Sequence, residues 1–144
     1  MPIVFTSPLQ RARETAQRAV PGVEATVVDA LAEYDYGEYE GLTSEEIDQL
    51  HPGWELFKDG CPGGESLHQV IARCDSFIAK LERTAAGRVV IAFTHGHLSR
   101  VLTTRLVGLN PEAGAVLQND AASIGVIDDK RGRYVITGWN IRAD

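Results

Sequence analysis

Sulfur is scarce in this chain: 144 residues contain two cysteines, Cys61 and Cys74, and a single methionine, Met1. The cysteine spacing matches neither a metal-ligand pair nor the framework of a small disulfide-stapled domain, so no metal or cofactor and no disulfide is expected to hold the fold. Hydrophobic residues make up 44% of the chain, yet no unbroken apolar run approaches the ~20 residues that a bilayer crossing needs. Cationic charge is short as well. Against 20 Asp and Glu there are 14 Lys and Arg, a net charge of -6, which argues against a nucleic acid partner because that affinity comes from clustered cations releasing counterions. A small anionic substrate held by a few local arginines is still compatible. The chain opens Met1-Pro2 and not with a basic, then apolar, leader. The expectation is a cytoplasmic protein with reduced thiols, with no membrane and no nucleic acid among its partners.

What is present reads as one domain over residues 1–144, long enough to bury a real core. "IVFT" at 3–6 is a short β-rich run, followed by Ser7, Pro8 and Gln10, a helix start in which Ser7 caps, Pro8 fits the first turn and Gln10 reaches back. That helix runs to about Val20, before Pro21-Gly22. "ATVVD" at 25–29 reads as a second strand, and "LAEYDYGEYEGL" at 31–42 as an ordered loop rich in carboxylates. Thr43 and Glu46 form a capping box for a short helix that ends near His51-Pro52. "DGCPGGES" at 59–66 is a loop. From Leu67 to Leu81 the apolar residues keep a three-and-four spacing, so residues 65–85 form the clearest amphipathic helix. "RVVIAF" at 88–93 is apolar on both alternating faces, as in a strand buried on both sides. Residues 98–109 read as a helix, and "ASIGVID" and "RYVITGWNI" as final strands joined by a turn at Asp129–Gly132. The fold class is α/β, a three-layer sandwich around a mixed, mostly parallel sheet.

Open α/β sheets bind ligands beyond the carboxyl ends of their strands, and both sharp strand-to-helix turns carry polar groups there. The first has Thr6, Ser7 and, one turn on, Arg11; the second has Thr94, His95, Gly96, His97 and Arg100. Gly96 lets backbone N–H groups approach an anion, and the helix beyond presents its positive end to it. Arginine, imidazole and a helix N-terminus together fit a phosphate. Taken singly, a strand-end histidine such as His95 is more often a hydrogen-bonded structural residue than a catalyst, and Ser7 before a proline is first of all a cap. The acidic loop adds Glu33, Asp35, Glu38 and Glu40, one of which is a candidate general acid, with Glu38 read as solvated.

In "TSPLQRARETA", "LAEYDYGEYEGL", "CPGGES" and "FTHGHLSR", in that order and spacing, the chain resembles the histidine phosphatase superfamily, the group that includes cofactor-dependent phosphoglycerate mutase. It looks most like the small acid-phosphatase-like branch, with only Leu42 to Pro62 between the acidic and glycine loops. The resemblance implies a phosphoglycerate mutase-like fold, no metal or other cofactor, and a small phosphorylated substrate. It makes Arg11 a phosphoryl ligand, Glu33 the proton donor to the leaving oxygen, and His95 the histidine that stabilises charge on the transferring phosphoryl oxygens. Ser7 and Gly96 join Arg11 on the substrate-binding side.

The same family begins with a strand ending in Arg-His-Gly, whose histidine is the phosphoryl acceptor, and that tripeptide occurs nowhere in these 144 residues. The expectation is a chain lacking the family's first strand, a fragment of a longer enzyme or a rearranged one. A vacancy inside a sheet leaves unpaired backbone groups on two flanking strands, which favours a rearranged sheet, a homodimer or low stability. None of the other histidines is a good substitute: His97 diverges from His95, His68 lies on the polar side of its helix, and His51 caps a helix end. The chain is therefore expected to be a weakly active or inactive phosphatase. Its rivals are a non-catalytic phosphate-ester or phosphopeptide-binding module and a metal-dependent hydrolase using His95-x-His97. Trp54 and Phe57 either cover the site and favour bulky apolar leaving groups or pack the short helix. Ser123 approaches the pocket through its backbone.

Overall fold

The apolar runs at 3–6 and 88–93 become neighbours in space. In the computed structural model, which describes residues 1–143, β1 (Ile3–Thr6) lies between β2 (Thr26–Val27) and β3 (Val90–Phe93), all three parallel. The β1–β3 ladder extends past both ends, with the Ile3 amide donating to Val89 O at 2.9 Å and the Ser7 amide to Phe93 O at 2.8 Å. Alternation along β1 sends Val4 and Thr6 to one face and Phe5 to the other. The helix α1 (Gln10–Ala19), with Ala12 and Ala16 buried, packs on β1 and β3.

On the Phe5 side the main core forms with α4 (Leu67–Thr84) and α5 (Gly96–Val107). Val70, Cys74 and Phe77 are buried at spacings of four and three, as the periodicity requires. Phe77 meets Phe5 edge to face at 5.4 Å. Ser66 and Gln69 close a full capping box on α4, and Thr43 and Glu46 close another on α2 (Ser44–Leu50), which stops at His51 as expected. A single further turn, α3 (Leu56–Asp59), is unannounced by any local periodicity.

Three local expectations are corrected. Ser7 is not the cap of α1: Leu9 holds the N-cap position without a side-chain bond, Ser7 Oγ accepts the Leu9 amide at 3.2 Å, and Gln10 bonds to Glu14. The final strands, β4 (Ile124–Asp129) and β5 (Tyr134–Ile141), pair antiparallel with each other and form a ribbon separate from the parallel sheet. Trp139 covers Gly125 and donates Nε1–H to Gln118 O at 2.7 Å, which ties that ribbon to the segment after α5. The run 88–93 is not buried on both sides: among the described residues β3 pairs with β1 alone, its outer edge is open, and Val89 is 70% exposed.

Burial pushes the thiols of Cys61 and Cys74 up to about 11 and about 12, so at neutral pH neither presents a thiolate. A chromogenic disulfide reagent should therefore titrate no thiol in the native protein and two after denaturation. Phe77→Ala should lower unfolding free energy by ~3–5 kcal/mol, the usual cost of emptying an aromatic core site, read from the urea midpoint at constant slope.

Candidate active site

The parallel register of β1 and β3 puts Thr6 beside Phe93, so the residues that follow each strand meet at one edge of the sheet. There Ser7 Oγ and His95 Nε2 lie 2.7 Å apart, both buried. Burial drives the His95 pKa down; the Glu33 carboxylate opposes this, and Arg11 and Arg73 add to it. The ring is neutral at neutral pH, with one nitrogen able to donate and the other to accept. Thr94 Oγ1 anchors the same turn by donating to Leu31 O at 2.7 Å.

Glu33 reaches this edge from the acidic loop. Its carboxylate accepts the amides of Leu98 at 3.0 Å, His97 at 3.3 Å and Tyr34 at 2.9 Å. The anion at the α5 N-terminus is thus an internal one, where the spacing around Gly96 pointed to a bound phosphate. Packing does not demand a glycine at 96, since an added Cβ would meet only Asn119 Oδ1 at 3.8 Å. Asn119 locks this first turn, accepting from Arg100 Nε at 2.8 Å and donating to Ser99 Oγ at 2.7 Å and Gly96 O at 3.2 Å. Arg11, exposed on the first turn of α1, makes no side-chain hydrogen bond or ion pair among the described residues. It is the cation left available for an external anion.

The loop that carries Glu33 is held from beneath by Arg73, a residue no local pattern singles out. Its guanidinium donates to the carbonyls of Ala30 at 2.8 Å, Ala32 at 2.7 Å and Glu33 at 3.1 Å, and forks onto both oxygens of Glu65 at 2.8 Å each. Glu65 in turn accepts the Asp35 amide at 2.9 Å. Two glycines let the acidic and glycine loops touch. A Cβ on Gly37, which sits at φ +51°, would come within 2.3 Å of Gly64 N, and one on Gly64 within 2.3 Å of Asp35 O. Backbone bonds from Glu38 N to Pro62 O and from Glu65 N to Asp35 O complete the seam.

Tyr36 was also missed. Its hydroxyl bonds to His97 Nδ1, and burial together with Glu33 raises its pKa, so it stays a neutral phenol. Burial lowers the His97 pKa. His95 and His97 therefore serve different partners, and among the described residues no group of three His, Cys, Asp or Glu side chains is placed to hold a metal ion. His51 and His68 are exposed away from the site, Glu38 is exposed as expected, and the Ser123 amide is committed to Asp120 O.

A parallel sheet sandwiched by helices, with a buried His, a Ser and a carboxylate gathered at the carboxyl edge of its strands, defines a phosphoglycerate mutase-like α/β domain. A family model described as histidine phosphatase superfamily (branch 1) matches residues 1–142, and the chain belongs to that family. It is 41% identical over 131 residues to an acid phosphatase of Mycobacterium tuberculosis, covering 91% of this chain and 64% of that protein. It is also 33% identical over 123 residues to a 2,3-bisphosphoglycerate-dependent phosphoglycerate mutase of Beijerinckia indica, covering 76% of this chain and 59% of that one. The chain thus spans less than two thirds of the length of either relative. Among solved structures, the product of an open reading frame of Mycobacterium tuberculosis superposes with a TM-score of 0.91 at 38% identity, covering 98% of this chain and 72% of that one.

Two predictions concern the clamp. Arg73→Ala leaves three carbonyls and a half-buried carboxylate without their partner, so stability should fall by ~2–4 kcal/mol in chemical denaturation. Burial alone would raise the Glu65 pKa, but the Arg73 fork and the Asp35 amide outweigh it and hold the carboxyl low. A group lowered in the folded state stabilises it above the unfolded pKa of about 4.3 and loses that contribution as pH falls through the folded value. Glu65→Gln should therefore lose less stability than the parent between pH 6 and pH 3, in paired urea titrations.

Proposed function

We propose that this chain binds the phosphoryl group of small phosphomonoesters at the strand-end site, using the residues with which its family hydrolyses such esters through a phosphohistidine. The observation that supports this best is the 2.7 Å contact between Ser7 Oγ and His95 Nε2 across two adjacent parallel strands. It brings a polar pair from residues 7 and 95 to the edge where ligands of such sheets bind. Arg11 supplies the free guanidinium that pairs two phosphoryl oxygens. Ser7 Oγ already accepts the Leu9 amide, so its hydroxyl proton is available to His95 or to an incoming oxygen. His95, kept neutral by burial, donates to the charge that builds on the phosphoryl oxygens. Gly96 opens the helix start beside that charge. Glu33 is, on the family's pattern, the residue that serves the departing alcohol oxygen as proton donor, and no metal or cofactor enters these steps.

The step this set does not supply is the attack on phosphorus. His51 and His68 are exposed elsewhere, His97 is bonded to Tyr36, and His95 already has its part. These 144 residues by themselves then bind phosphate esters with little or no turnover, as a non-catalytic binding module does. With two buried free thiols and no helix among the described residues long and apolar enough to cross a membrane, the proposal places the chain in the cytoplasm. The open edge of β3 is the seat of a homodimer in this reading.

Calorimetric titration with inorganic phosphate should show saturable binding that Arg11→Ala weakens at least about tenfold, the scale of one lost charge-assisted pair. Hydrolysis of an aryl phosphate should stay at the blank rate. Robust turnover abolished by His95→Ala would instead mean that another group attacks phosphorus.

A further inference from the structure

A cleft of about 490 Å³ lies next to the phosphoryl site and has no part in the steps above. Its walls include Tyr36, Tyr39, Trp54, Phe57 and His97. Tyr39 and Trp54 meet edge to face at 5.4 Å, and His97 meets Phe57 at 5.8 Å and Tyr36 at 5.6 Å, so the wall is built from two packed aromatic groups. Trp54 is pinned by its Nε1–H to Gly60 O at 2.7 Å, and Phe57 is 7% exposed with Arg100 over its ring. These side chains are held in place before any ligand arrives.

The position of the cleft follows from the chemistry. In a phosphomonoester the alcohol portion extends from the oxygen that the general acid protonates, so it must lie on the Glu33 side of the phosphoryl group. Two wall residues are tied to Glu33: the His97 amide donates to its carboxylate, and Tyr36 bonds to the His97 ring and has its pKa raised by burial and the nearby Glu33 charge. The cleft therefore begins where the alcohol portion leaves the phosphoryl site. Its rim is acidic, with Glu40 and Glu55 both exposed on it, and neither Lys nor Arg is among the residues that line it.

We infer that this cleft holds the alcohol portion of the ester and selects an uncharged aromatic group, rejecting alcohols that carry a carboxylate. The aromatic wall offers ring stacking and apolar burial, whereas an anion there would face Glu40 and Glu55 with no free cation lining the cleft. This rests on the phosphoryl-site reading above and adds the identity of the group beyond it.

The test uses non-hydrolysable phosphonates, so turnover plays no part. By calorimetry, phenylphosphonate should bind at least about tenfold more tightly than methylphosphonate, as burial of one ring allows. A 4-carboxyphenylphosphonate should lose most of that gain, and the Glu40→Gln/Glu55→Gln double variant should recover it. Leu42→Glu, at a cleft position that is 37% exposed, should weaken phenylphosphonate about tenfold and change methylphosphonate less than about twofold. Equal binding of phenyl- and methylphosphonate, or equal weakening of both by Leu42→Glu, overturns the cleft assignment and leaves the phosphoryl site standing. Failure of methylphosphonate and inorganic phosphate alike to bind overturns both readings.

Discussion

The site depends on one guanidinium. Arg73 gathers three consecutive-turn carbonyls of the acidic loop and the Glu65 carboxylate into a single set of charge-assisted bonds. Without it a loop rich in carboxylates and glycine would have little reason to turn inward, because its own charges prefer water and its backbone carbonyls would be buried without donors. With it, Glu33 is carried to the α5 N-terminus and Tyr36 to His97. The hydrophobic core supplies the platform: Leu31 and Tyr34, on either side of Glu33, are fully or almost fully buried. Arg73 thus works with core packing, fixing the backbone between two buried anchors.

A second consequence is a division of charge at the strand edge. His95 is kept neutral by burial, Glu33 is tied to helix amides, and the Arg11 side chain has no partner among the described residues. One open cation beside a buried neutral imidazole suits a dianion arriving from solvent, since the cation attracts it and the imidazole can donate without first losing a proton. The β4–β5 ribbon contributes none of the groups named, which come from the carboxyl ends of β1 and β3, from α1 or from the loop that Arg73 holds.

Much of this was legible in one dimension. The capping boxes at Thr43 and Ser66, the three-and-four stripe of α4 and the strands at 3–6 and 90–93 are local patterns, and local patterns survive translation into structure. The candidate residues Ser7, His95 and Glu33 come together at the strand edge, with Arg11 on the adjoining first turn of α1. Expectations failed where long-range pairing decided the outcome: Ser7 turned to His95 instead of capping α1, and β3 stayed half-open because, among the described residues, β1 alone pairs with it. Arg73 and Tyr36 were invisible for the same reason. Glu65 apart, which lies eight residues before Arg73, their partners are 40 to 61 residues away in the chain, and nothing in the flanking sequence distinguishes them from an exposed arginine or an ordinary loop tyrosine.

The sequence by itself determined the α/β class, the family, and which polar groups stand at the two strand ends, because each depends on residue types at short spacing. Only the tertiary structure decided that the α5 N-terminus is filled by Glu33, that the last two strands stand apart, and that aromatic residues from three separate segments close into one cleft. Those outcomes are settled by competition for hydrogen-bond donors and for burial among residues far apart in the chain, and a competition of that kind has no trace until the chain is folded.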